Sequence, residues 1–194
     1  RAAVQDQLTA GAEVIKVIAS GGVLTPGTSP DEAQMTVEEL RAAVEVATAH
    51  GRHVAAHAHG ATGMKNALRA GVHSIEHATL MDDEASGLMT QRGVYMVPTL
   101  SALATTAACP TGCGIPDSAR SKAKNMVRQH EKSFRAAVRR GVPIAMGTDA
   151  GTPFNYHGDN AQELERMVAL GMTPMEAIMT STSAAARLLR LTAE

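Results

Sequence analysis

Short β-branched and apolar runs alternate with amphipathic stretches along nearly the whole chain, and this alternation limits the fold more than any other feature. Val14-Ile15-Lys16-Val17-Ile18, His53 to His57, Val72 to Glu76, Val94 to Pro98 and Pro143 to Gly147 read as five strands. Helical patterns are expected over 2–11, from Thr36 to near Gly51, and over 63–70, 82–92 and about 118–140. Two more follow over about 160–170 and 174–190. Thr36-Val37-Glu38-Glu39 and Thr173-Pro174-Met175-Glu176 are capping boxes, in which a threonine hydroxyl and a glutamate satisfy each other's backbone amides. Residues 99–117 read as a loop. Apolar strands separated by helices predict an α/β fold with a parallel sheet covered on both faces. A small doubly wound sheet fits, and so does part of an eight-stranded (β/α)8 TIM barrel, which usually takes about 250 residues.

Bulk properties exclude several function classes. The 194 residues carry a net charge of −1, so no nucleic acid and no anionic membrane is implied as partner. No apolar run approaches a membrane span. Aromatics are 2% with no Trp, so stacking on bases is nearly unavailable and any pocket must be aliphatic and Met-lined. Arg1 begins neither a signal peptide nor a chain with its initiator Met, which suggests an excised segment. Cys109 and Cys113 share one loop; two free thiols are expected, with a local bridge or half a metal site as alternatives. A cytoplasmic setting is the default on this count.

Ligand-type side chains interrupt the apolar pattern at one place in each unit, in or just after a strand: Lys16, His57 with His59, Glu76-His77, and Asp149. In parallel α/β folds the C-terminal strand ends form the active face. A lysine in a buried strand needs a reason. It is a salt-bridge partner, a Schiff-base former, or a carbamate made with CO2 that bridges two metal ions. The histidines favour the last. His57 and His59 stand two apart on a strand and so face the same way, toward a shared ligand. By the same alternation Glu76 is expected to face away from His77. Asp149 lies between Gly147 and Gly151, which allow close backbone approach. A carboxylate there can bind a metal and take a proton from water. His157, in the loop after Asp149, is expected to touch substrate. His50, His53 and His73 belong to the opposite end and are expected at the surface, as is His130 on the long charged helix.

The order Lys, His, His, Asp on successive strands resembles the amidohydrolase superfamily, and most of all its imidazolonepropionase-like and Xaa-Pro dipeptidase-like branch. The matching words are Val14-Ile15-Lys16-Val17, Ser20-Gly21-Gly22, His57-Ala58-His59-Gly60 and Ser74-Ile75-Glu76-His77. Pro98-Thr99 and Gly147-Thr148-Asp149-Ala150-Gly151 complete the set. The resemblance implies that residues 1–194 are the C-terminal part of one hydrolase barrel domain, strands four to eight with their helices. It implies two divalent metal ions, zinc by preference, with Lys16 carboxylated by CO2 as their bridge. His57 and His77 become ligands of one ion and Asp149 a ligand and general base, while His59 and His157 become substrate contacts. The family's first-strand His-x-His pair is absent from this chain, so the segment alone is expected to be inactive. The implied reaction is hydrolysis of an amide or peptide bond in a small molecule or short peptide, such as a dipeptide or an N-acyl amino acid. Cyclic amides, lactones and organophosphates are the alternatives on the same site. A catalytically silent barrel segment and a Schiff-base aldolase remain as rivals, and a homo-oligomer is left open.

Overall fold

The computed structural model describes residues 1–191. Four parallel strands form one sheet in the order β1 (Val14–Ile18), β2 (His53–Ala58), β3 (Ser74–His77), β4 (Tyr95–Val97). Helices α1 (Ala2–Thr9), α2 (Val37–Ala49), α3 (Ala61–Ala70) and α4 (Asp83–Arg92) precede or link them. After β4 come α5 (Leu100–Ala108), α6 (Asp117–Arg140), α7 (Ala161–Ala169), α8 (Pro174–Ser181) and α9 (Ser183–Leu188). Both capping boxes form, Thr36 with Glu39 and Thr173 with Glu176.

Register divides the sheet into two faces. Val17, Ala56, Ile75 and Met96 lie side by side and are buried against Leu40 and Ala43 of α2, Met64 and Leu68 of α3, Met89 of α4 and Phe134 of α6. The other face carries Lys16, Ala55 and Ser74 in one row and Ile18, His57 and Glu76 in the next. Helices do not cover this second face at β1, where Val14, Lys16 and Ile18 are exposed, so the expected two-sided burial fails at that strand, while Ser74 and Val97 on the same face are buried.

Three elements differ from expectation. Pro143 to Gly147 is not a strand but a single parallel bridge, Met96 with Ile144. Pro143 has no N–H to give, and the Met146 N–H goes to the Thr180 carbonyl of α8 instead of a ladder. Residues 100–108 are helix, not loop. Helix 174–190 breaks at Thr182 into α8 and α9.

The cysteines differ too. Cys109 and Cys113 are joined in a disulfide, not free. The turn through Gly112 brings their Cα atoms to 6.2 Å, within bridging range. Such bridges persist in oxidising surroundings, which removes the thiol argument for a cytoplasmic setting. Among the described residues no helix is long and apolar enough to cross a membrane.

Candidate metal centre

One cavity at the C-terminal strand ends gathers most of the residues singled out by sequence. It measures about 160 Å³ and is lined by Lys16, His57, His59, His77 and Asp149, with Thr99 and His130 beside them. Val23, Leu24 and Leu103 form an aliphatic wall. His157 is not brought into it; it is exposed and lies over Gly151 in the loop after Asp149.

Local backbone explains how His77 reaches the cavity. Glu76 sits on the same sheet face as His57, contrary to the expected outward aim. Strict alternation would then turn His77 away. It does not, because His77 and Ala78 adopt left-handed φ values of 75° and 50°. The turn ends the strand and sends two consecutive side chains to the same side.

The three imidazoles of His57, His59 and His77 offer nitrogens within 4.8 Å of one another. His57 Nδ1 and His77 Nε2 are 2.9 Å apart. The other nitrogen of His57 faces the Gly21 carbonyl at 3.4 Å; a carbonyl only accepts, so that nitrogen holds the proton and Nδ1 a lone pair. His77 Nδ1 is 2.6 Å from the Thr99 hydroxyl, which can donate or accept. When it accepts, His77 Nε2 also presents a lone pair, and two lone pairs converge on one point. Their spacing approaches the ligand–ligand distance of a tetrahedral zinc, about 3.3 Å for Zn–N bonds of about 2.05 Å. His59 is placed differently. Its ring stacks on that of His77 at 16°, so the two in-plane lone pairs cannot meet at one ion. Its Nδ1 is held by Thr79 at 2.8 Å.

Burial dominates the electrostatics. It pushes the pKa of His57 down, and those of His59 and His77 well below the usual histidine value. The same cause raises the Glu76 carboxyl. The imidazoles are therefore neutral near pH 7 and available as ligands. Asp149 has φ 54° and is exposed. The buried Asn155 amide fixes its loop by donating to the Thr148 and Asp149 carbonyls at 2.6 and 3.1 Å.

Sequence reasoning missed the parts played by His130, Asn155 and Glu163, and it quoted Thr99 only within the word Pro98-Thr99, with no role. His130 was expected at the surface and is 2% exposed, with burial lowering its pKa to about 4. The signal was present: Ala119, Ala123, Met126, His130, Phe134 and Ala137 form one helical stripe. His53 and His73 are likewise half-buried and stacked at 4.2 Å.

The amidohydrolase family model matches residues 1–194. The chain belongs to the amidohydrolase family. Among relatives, ochratoxinase of Aspergillus niger is 39% identical over 184 residues, 94% of this chain and 37% of that protein. Its crystal structure superimposes with a TM-score of 0.85, covering 97% of this chain and 42% of that one. A Xaa-Pro dipeptidase with bound methionine in its active site gives a TM-score of 0.92 at 45% identity, over 98% of this chain and 47% of that one. This amidohydrolase chain thus spans less than half the length of each.

Proposed function

We propose that this chain forms the second half of a (β/α)8 barrel, with β1 to β4 and the segment at Pro143 to Gly147 as its fourth to eighth strands. The whole protein is then a binuclear metal-dependent hydrolase of amide or peptide bonds in small substrates. The observation that carries this reading is the convergence of His57 Nδ1 and His77 Nε2 in the cavity that also holds Lys16 and Asp149. The Xaa-Pro dipeptidase and ochratoxinase likenesses support it.

His57 and His77 would hold one divalent ion, Asp149 another, and Lys16, as the carbamate formed with CO2, would bridge them; zinc suits this donor set. Bound ions of this kind lower the pKa of water and polarise a carbonyl. Asp149 takes the proton of the attacking water and returns it to the leaving nitrogen. His59, its Nδ1 engaged by Thr79, turns Nε2 to the substrate. His157 meets the substrate from the solvent side of the Asp149 loop. The wall of Val23, Leu24 and Leu103 carries no charge and favours an aliphatic group beside the scissile bond, as in a dipeptide or N-acyl amino acid.

Metal analysis of the full-length protein tests this, together with hydrolysis of a panel of dipeptides and N-acyl amino acids. About two zinc ions per chain, with both metal and activity lost in Lys16→Ala, are expected. A metal-free protein that still hydrolyses the panel would sink the reading.

A further inference from the structure

The left-handed turn at His77 and Ala78 is held from outside the sheet. The β3–β4 ladder ends at Glu76 opposite Val97, so the His77 carbonyl lies beyond it. That oxygen accepts the His130 Nε2–H at 2.9 Å. One helical turn further along α6, the Ser133 hydroxyl donates to the Thr79 carbonyl at 2.8 Å. Both donors are buried, His130 and Ser133 each at 2% exposure. Two side chains of one helix thus grip the main chain on either side of Ala78, while Thr79 and Thr99 bond the rings of His59 and His77.

We propose that His130 is a positioning residue: by donating to the His77 carbonyl it fixes the backbone turn that aims the His77 imidazole at His57. The proposal rests on the reading of those two imidazoles as an ion site. Residues that orient ligands from behind typically change metal affinity about 10- to 100-fold when removed. A residue that merely fills the core would act through its volume, and a donor through its N–H; the two can be separated.

The test uses the full-length protein with His130→Leu, His130→Gln and His130→Asn. Glutamine places an amide N–H near the Nε2 position, and asparagine, one bond shorter, does not. Zinc affinity is read by competition with a chromophoric chelator, and kcat and KM on a substrate the wild type hydrolyses. His130→Leu should bind zinc about 10- to 100-fold more weakly and lose kcat with KM little changed. His130→Gln should recover most of both. Leucine with wild-type zinc affinity and kcat, or glutamine as weak as leucine, would overturn the proposal. If the leucine variant does not fold, asparagine takes its place, and equal zinc affinities for asparagine and glutamine would overturn it. A wild type that takes up no zinc overturns the metal reading itself, and this proposal with it. Wild-type uptake with an unaffected variant overturns this proposal alone.

Discussion

Nδ1 of His57 and Nε2 of His77 face one another at 2.9 Å across twenty residues of sequence. The apposition has two states. A hydrogen bond joins the rings when His77 Nε2 carries the proton, and an ion can replace it when the proton sits on Nδ1 against Thr99. Chelation should therefore abolish hydrolysis without unfolding the protein. Far-UV circular dichroism of the full-length protein should be unchanged after chelator treatment, and zinc should restore activity. Unfolding on chelation would contradict the two-state contact.

Acid should destabilise the metal-free protein by a calculable route. The His130 pKa falls from 6.5 to about 4 on folding, so between these values the unfolded chain binds more protons than the native one. The contribution is neutral above pH 6.5 and grows unfavourable as pH falls toward 4, reaching about 3 kcal/mol. His59 and His77 act in the same direction. Urea melts in the presence of chelator from pH 7.5 to 4.5 should show this slope, and His130→Gln should flatten it.

Asp149→Asn keeps the size of the side chain and removes its basicity. As the proposed general base, Asp149 should take about 10²- to 10⁴-fold of kcat with it in the full-length protein. A smaller loss would place the proton acceptor elsewhere.

Gly60→Ala should be costly for a purely steric reason. A Cβ at Gly60 would sit 2.6 Å from the Asp31 Cα and carbonyl oxygen, which are backbone and cannot swing away. Overpacking of this kind costs about 1–3 kcal/mol. Thermal melting should show it, together with weaker hydrolysis, because His59 is the neighbouring residue.

Cys109 and Cys113 should both resist alkylation in the unreduced protein and both be labelled after reduction in denaturant, as peptide mass spectrometry would read. Cys113→Ser should cost about 2 kcal/mol, as the chain-entropy estimate gives for so short a loop.

Features written in local sequence were legible, and features that depend on distant partners were not. The capping boxes at Thr36 and Thr173 signal their helices within four residues. Helix α5 has no such signal: its first amides are satisfied by the Glu163 carboxylate, which accepts from Leu100 and Ser101 at 2.6 and 2.8 Å from more than sixty residues away. Leu100 to Ala108 therefore reads as a loop until α7 is in place. In the site, Lys16, His57, His59, His77 and Asp149 were recognisable because they break apolar runs within or just after the expected strands. Alternation misplaced Glu76 because it cannot foresee a positive φ at His77. His130 was hidden by the charge of its helix, although its spacing from Met126 and Phe134 marked the buried side.

The handedness change at His77 and Ala78 has a consequence for transplanting this centre. Copying the same lysine, histidines and aspartate onto strands of ordinary twist would reproduce the inventory without the focus. What must be inherited is a main-chain torsion, and with it the remote helix that pins it.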